Sequence, residues 1–171
     1  TSGVLPFPID LYFSGTTDGT LNLPASLSAL TPHLTALNAL DGWSTTSDIT
    51  VRFSAAIDPA TLAANVRVIR VAIDNATKAT VGVLGILAPG TDYSIGVSPD
   101  LDSANSTLLI RPLRPLVAST GATNNGYLIL VTDGVTDTEG NPATADSEYL
   151  TVRTAAIADL RQQIESFVRA E

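Results

Sequence analysis

The chain contains no cysteine and no methionine, and only one lysine, one histidine and one tryptophan in 171 residues. Without cysteine there is no disulfide framework, no thiolate nucleophile and no zinc–thiolate site; either side of a membrane suits such a chain. Without methionine, even at position 1, Thr1 does not read as a natural start. The expectation is a processed or trimmed piece of a longer protein with any signal peptide removed. Nine basic residues stand against seventeen acids, for a net charge of −8. Nucleic acid as a partner is excluded by that balance, because its binding is dominated by phosphate neutralisation. Electrostatic docking on anionic lipid is opposed for the same reason. The longest apolar run, around "VGVLGILA", falls far short of the ~20 residues a spanning helix needs, so no transmembrane segment is expected.

What the chain does have is 44% hydrophobic residues, high for so acidic a sequence, and a length that suits one domain with a real core. Many Thr, Ser, Ala, Gly and Asn with almost no Lys make a composition common in secreted bacterial proteins. Residues 1–47 read as an N-terminal extension packed on the body. "VLPFPIDLYFSGTTDGTLNLP" is extended and turn-rich, since proline fixes φ and removes a donor. "TPHLTALNALDG" predicts a short helix over 32–41. Thr31 is its N-cap, Pro32 stands at the first helical position, Leu34, Leu37 and Leu40 form one stripe, and Gly42 is the stop.

From Asp48 the period becomes two. Ile49, Val51 and Phe53 alternate with Thr50 and Arg52 as in a half-buried strand. Asp58 then caps a single turn opened by Pro59. In "VRVIRVAI" the alternation slips at Ile69-Arg70, which suggests a β-bulge. "TVGVLGIL", "DYSIGV", "TLLIRP", "YLILVT" and "EYLTVRT" read as further strands. About seven short strands separated by turns predict a mainly β fold, an antiparallel, Ig-like β-sandwich over 48–153. Residues 154–171 predict a C-terminal helix capped by Thr154, with Ile157, Leu160, Ile164 and Phe167 on one amphipathic stripe. That stripe either docks on the sandwich or forms an interdomain interface with a domain beyond this chain; in the second case it is exposed, or pairs with a second copy.

The search for chemistry is mostly negative. His33, the one histidine, lies on the short capped helix, and no serine sits in a G-x-S-x-G elbow. There is no phosphate-binding glycine loop and no H-E-x-x-H, so no cofactor is expected. Asp133, Asp137, Glu139 and Asn141 bring hard oxygens into one loop, as calcium prefers. Their spacing departs from D-x-[DN]-x-[DN]-G, and the favoured reading is a polar turn with Gly140 and Asn141 at positive φ. Arg111 and Arg114 in "IRPLRPL" admit an anion-binding reading. The favoured one is a strand ending at Pro112, followed by a loop with Leu113 and Leu116 tucked in. Phe7, Tyr12, Phe13 and Trp43 are the candidate surface patch for a ligand. A lone tryptophan lacks the partners of a stacking site, so packing is favoured for Trp43.

Three segments, "LPFPIDLYFSGTTDGTLNLP", "LNALDGWSTT" and "FSAAIDPATL…VRV", resemble the N-terminal domain of bacterial extracellular, or virulence-factor, lipases. "LLIRPLRPL…GYLILVTDGVTDTEGNP" is similar to the Ig-like modules of bacterial surface-layer proteins and occurs in that lipase domain too. The resemblance implies a secreted or outer-surface-anchored bacterial protein in which this part is non-catalytic. An α/β-hydrolase domain of the same polypeptide would follow and carry the catalytic Ser, Asp and His; none of these can be placed in this chain. Trp43 departs from the family, where phenylalanine is expected. The implied role is an accessory domain that supports the hydrolase domain or holds it near a surface or lipid. The alternative is an Ig-like adhesion module for glycan or protein.

Overall fold

Alternation in "DITVRF" and "TLLIRP" places one side of each segment in oil and the other in water, and the two segments pair on that basis. In the computed structural model, which describes residues 7–9, 13, 20–22, 31–74, 80–99, 105–120, 124–147 and 150, β1 (Ile49–Phe53) lies antiparallel to β5 (Ser106–Pro112), with Ile49 opposite Ile110 and Val51 opposite Leu108. On the other side of β5 runs β4 (Tyr93–Pro99), with Ile95 opposite Ile110 and Val97 opposite Leu108. The second sheet has the order β3-β2-β6, from β2 (Val66–Ile73), β3 (Thr80–Ile86) and β6 (Asn124–Val131). The fold is therefore mainly β, with six strands among the described residues in two antiparallel sheets.

The sheets share one core. Ile49, Tyr93, Leu108 and Ile110 from the first meet Val66 and Val68 from the second, with Val51, Phe53, Ile95, Val97, Tyr127, Ile129 and Val131 packed around them. Burying a side chain such as Leu108, 0% exposed, is worth about 1.5–3 kcal/mol. The ends of the core are closed by Ile57, Leu62 and Val135. Ile57 is held by its N–H donating to Ser106 Oγ at 3.1 Å, while that hydroxyl donates to the Ala55 carbonyl at 3.0 Å. Asp58 caps the 3₁₀ turn Pro59–Thr61, accepting from the Ala60 N–H at 2.9 Å. The chain continues through α2 (Leu62–Asn65) into β2, as the Asp-Pro pair implies.

Two local expectations are corrected and one is met a residue away. The first helix, α1, is Thr31–Leu37 rather than 32–41. Past Leu37 the bonds tighten to i→i+3, Ala39 N–H to Ala36 and Leu40 N–H to Leu37, and the Leu40 carbonyl is taken by the Leu21 N–H at 2.9 Å. Leu40 is exposed, and among the described residues the glycines with positive φ are Gly90 and Gly140, not Gly42. The irregularity expected at Ile69-Arg70 of "VRVIRVAI" is present one residue along: the register with β3 shifts between Arg70 and Val71, and again between Ala72 and Ile73, while pairing with β6 runs unbroken from Val66↔Val131 to Ile73↔Asn124. In "EYLTVRT", Leu150 donates to the Asp146 carbonyl at 2.9 Å, a helical turn and not a strand. The remainder of that segment and the predicted helix over 154–171 lie outside the described residues.

Beside that irregularity, β2 is buried on both sides. Val66 and Val68 face the shared core. Ile69 and Val71, out of phase with them, are buried too, at 6% and 1% exposure, and face the other way because successive strand residues point to opposite sides.

Candidate functional site

The predicted aromatic patch assembles at the free edge of β1. An unpaired edge leaves backbone donors and acceptors open, and Phe7 takes two of them. Its N–H donates to the Thr50 carbonyl at 3.0 Å, and the Thr50 N–H donates to the Phe7 carbonyl at 2.8 Å. Trp43, between α1 and β1, meets Phe7 edge-to-face with ring centroids 5.0 Å apart, and Phe13 likewise at 5.4 Å. Such contacts add about 0.5–1.5 kcal/mol each beyond area burial. The tryptophan does not stand alone, as its isolation in the sequence implied; two phenylalanines distant in sequence are brought to it. Trp43 and Phe13 are half-buried and Phe7 is 48% exposed. Tyr12 lies outside the described residues, as do Ile157, Leu160, Ile164 and Phe167. The arrangement offers an apolar ring face with no acid or base among its described members, suited to contact rather than to proton transfer.

The acidic loop is organised around one carboxylate. Asp137 accepts from the Glu139 N–H at 2.9 Å, from the Asn141 N–H at 2.8 Å and from Asn141 Nδ2 at 2.9 Å. The Asn141 side-chain donor, helped by the backbone donors, holds the Asp137 carboxyl below its ordinary pKa. Gly140 at φ +88° lets the turn close. Both Asp137 oxygens thus serve the turn; Asp133 and Glu139 are exposed beside it. Among the described residues, no three His, Asp or Glu side chains gather as a metal-holding group.

The two arginines of "IRPLRPL" face carboxylates. Arg111 is bidentate to Asp48, at 2.9 Å through Nε and 2.7 Å through Nη2, and this lowers the Asp48 pKa. Arg114 pairs with Asp92, whose pKa is lowered first by the Ala88 N–H and then by Arg114. The strand ends at Pro112, and Leu116 is half-buried with its N–H on the Thr45 carbonyl at 2.9 Å. Leu113, however, is exposed rather than tucked in, with its N–H donating to the Asp92 carbonyl at 2.9 Å. His33 sits exposed on α1.

One surface escaped the sequence reading. On the side of the second sheet away from the core, the pairings Ile69↔Ile86, Ile69↔Leu128 and Val71↔Val83 gather aliphatic side chains. Val83 and Ile86 are 45% and 48% exposed. The signal was the unalternating run "VGVLGI", which weighs against a strand with one wet face.

No helix among the described residues is long and apolar enough to cross a membrane. No curated protein and no solved structure matches the chain. A family model described as "Bacterial virulence factor lipase N-terminal" matches residues 13–161. That span takes in Phe13 and Trp43 of the aromatic cluster, both sheets and the Asp137 turn, and the chain belongs to the bacterial virulence factor lipase N-terminal family.

Proposed function

We propose that this chain is the non-catalytic accessory part of a secreted or outer-surface-anchored bacterial lipase or esterase, supporting or positioning an α/β-hydrolase domain of the same polypeptide. The observation that carries this reading is family membership across residues 13–161. The two-sheet frame suits support. It is an Ig-like type of sandwich on this reading, with loops fixed by ion pairs and carboxylate-centred turns. Function is argued here from family, because fold alone does not give it. The test is deletion of residues 1–153 from a lipase-bearing parent. Hydrolysis of emulsified triglyceride and thermal stability should both fall. Unchanged stability and activity would overturn the supporting role, and hydrolysis of a short-chain p-nitrophenyl ester by residues 1–171 alone would overturn the non-catalytic one.

A second reading, a binding module for glycan or protein at the cell surface, draws on the Phe7–Trp43–Phe13 cluster. Trp43 is the only tryptophan, so its emission reports directly on that cluster. Titration with soluble oligosaccharides should shift the emission if the cluster stacks sugar rings, and Phe7→Ala should abolish the shift. An unmoved spectrum across the titration removes the glycan form of this reading.

A further inference from the structure

We infer that the segment at Phe7 is an edge guard: it closes the outer edge of β1 against strand addition, and the strand it keeps out is the β1 of a second copy of this chain. The inference rests on backbone bonding and is independent of the accessory role proposed above.

A strand at the end of a sheet offers its open N–H and C=O groups as a template for another chain. In an antiparallel ladder these groups alternate, one residue turning both to one side and the next turning both to the other. Thr50 gives both of its groups to Phe7. Thr50 and, two residues on, Arg52 are therefore the β1 positions whose backbone turns away from β5. Two such positions suffice for self-pairing. A second β1, antiparallel about Val51, would set Thr50 opposite Arg52 twice and make about four backbone bonds.

Phe7 stands in the way. Its backbone occupies Thr50, and Thr50 Oγ adds a bond to the Phe7 carbonyl at 3.4 Å. The contact is a single isolated bridge, marginal without packing. Packing comes from the Phe7 ring, edge-to-face on Trp43. The guard also avoids becoming a new edge. The neighbours of a bonded residue are the ones that serve a further strand. Here both neighbours, Pro6 and Pro8, are prolines, and proline has no N–H to donate.

The other sheet edges carry devices of their own. At the start of β6, Ser119 Oγ accepts the Asn125 N–H at 2.9 Å. At the start of β4, the Tyr93 carbonyl accepts the Gly90 N–H at 2.7 Å. The pairing of β3 with β2 is broken by two register shifts, and irregular edges make poor templates. The five residues of β1 pair with β5 without a shift, so β1 lacks the protection of irregularity and has Phe7 instead.

The test uses the 171-residue chain in about 0.3 M salt, which screens the repulsion between acidic copies. Mass is followed by light scattering against concentration, and Trp43 exposure by acrylamide quenching. Deleting residues 1–8 should convert a monomer into a concentration-dependent dimer and raise the quenching constant about twofold. Arg52→Pro in the shortened chain removes the second outward N–H, at an edge position where proline is tolerated, and should restore the monomer. Pro6→Ala with Pro8→Ala in the full chain returns N–H groups on either side of Phe7. That pair should cause association while Trp43 stays as shielded as in the parent, a result that packing by Phe7 alone would not give. A shortened chain that folds and stays monomeric overturns the proposal. So does association that persists unchanged after Arg52→Pro, since another surface then carries it. If the shortened chain fails to fold, the proline pair decides, and a monomer there overturns the proposal.

Discussion

The β1-β5-β4 sheet and the β3-β2-β6 sheet share one core but turn opposite characters outward. Away from the core, the first presents Thr50, Arg52, Thr107, Arg111, Ser94 and Ser98, with Leu109 flanked by Thr50 and Gly96. The second presents Ile69, Val71, Ile73, Val83, Ile86, Leu128 and Leu130, with Arg67 opposite Leu130 and Asn124 opposite Ile73 on the same side. One sheet is thus finished on its outer side by water and ion pairs, whereas the other carries an aliphatic layer whose middle, Ile69 and Val71, is buried and whose β3 edge, Val83 and Ile86, is exposed. The difference assigns the two sheets different work. The first is a solvent wall, and the second is aliphatic on both sides of β2.

The largest expected effect contrasts the two sides of one strand in the first sheet. Leu108→Ala should cost about 2–5 kcal/mol in urea denaturation, since Leu108 is 0% exposed at the centre of the core. Its neighbour Thr107→Ala, on the wet side, should stay within about 0.5 kcal/mol. A comparable loss at both positions would mean that the first sheet is covered outside as well. Next come the glycines of the two outer faces. Gly126→Ala must push Ile73 and Val71 aside and should cost about 1–2 kcal/mol. Gly96→Ala has nothing within 4 Å of the new carbon and should be neutral or stabilising by about 0.5 kcal/mol. If both changes prove neutral, the aliphatic ridge over Gly126 is not packed as described.

These contrasts also explain which parts of the fold the sequence disclosed. Ile49-Thr50-Val51-Arg52-Phe53 could be read directly because one face is wet, and period two then has a single meaning. Asp58-Pro59 was equally legible, because a cap and a φ-restricted residue act locally. "VRVIRVAI" is legible for a different reason: its change of phase from Val66/Val68 to Ile69/Val71 lies beside the register shift between Arg70 and Val71 against β3, and burial on both faces adds the second apolar set. The first helix was overextended because Leu40 repeats the leucine spacing, yet its carbonyl is claimed by Leu21, a tertiary contact invisible in the pattern. Phe7, Phe13 and Trp43 were each singled out, but their meeting depends on Phe7 pairing with Thr50, 43 residues on. No local rule predicts that partner. Asp137 as the centre of its turn was within reach, since Gly140-Asn141 announces a turn and an Asp three residues before Gly140 is placed to accept its N–H groups.

A smaller effect separates the two outer edges. Val83→Lys on β3 places a charge beside Val71 and Ile69 and should cost about 1 kcal/mol in the full chain. Ser98→Lys on β4, an outward position of the other sheet's edge, should fall within about 0.5 kcal/mol. Thermal melts of the two variants against the parent decide the point. Equal shifts would show that the β3 face is as wet as the β4 face.

The smallest effect is one of pH, and it belongs to the first sheet alone. Asp48 stands directly before β1 and is bonded by Arg111 of β5; Asp92 stands directly before β4 and is bonded by the Ala88 N–H and Arg114. Both carboxyls are held below their ordinary pKa. A depressed folded-state pKa contributes stability that is present above the unfolded value, roughly pH 4, and is lost as pH falls through the lower folded value. The β2, β3 and β6 segments contain no carboxylate, so acid has no such handle within them. Amide exchange followed from neutral pH down through about pH 3 should therefore loosen the paired ends around Ile49, Ile110 and Tyr93 before it loosens Val66–Ile73. Arg111→Ala should remove most of the Asp48 share of that acid response while scarcely moving stability at neutral pH, because exposed ion pairs contribute little there. Added salt should mimic the substitution in part. If β2 and β6 open first as the pH falls, the ion pairs are not what fixes the end of the first sheet, and its ordering must come from the core face alone.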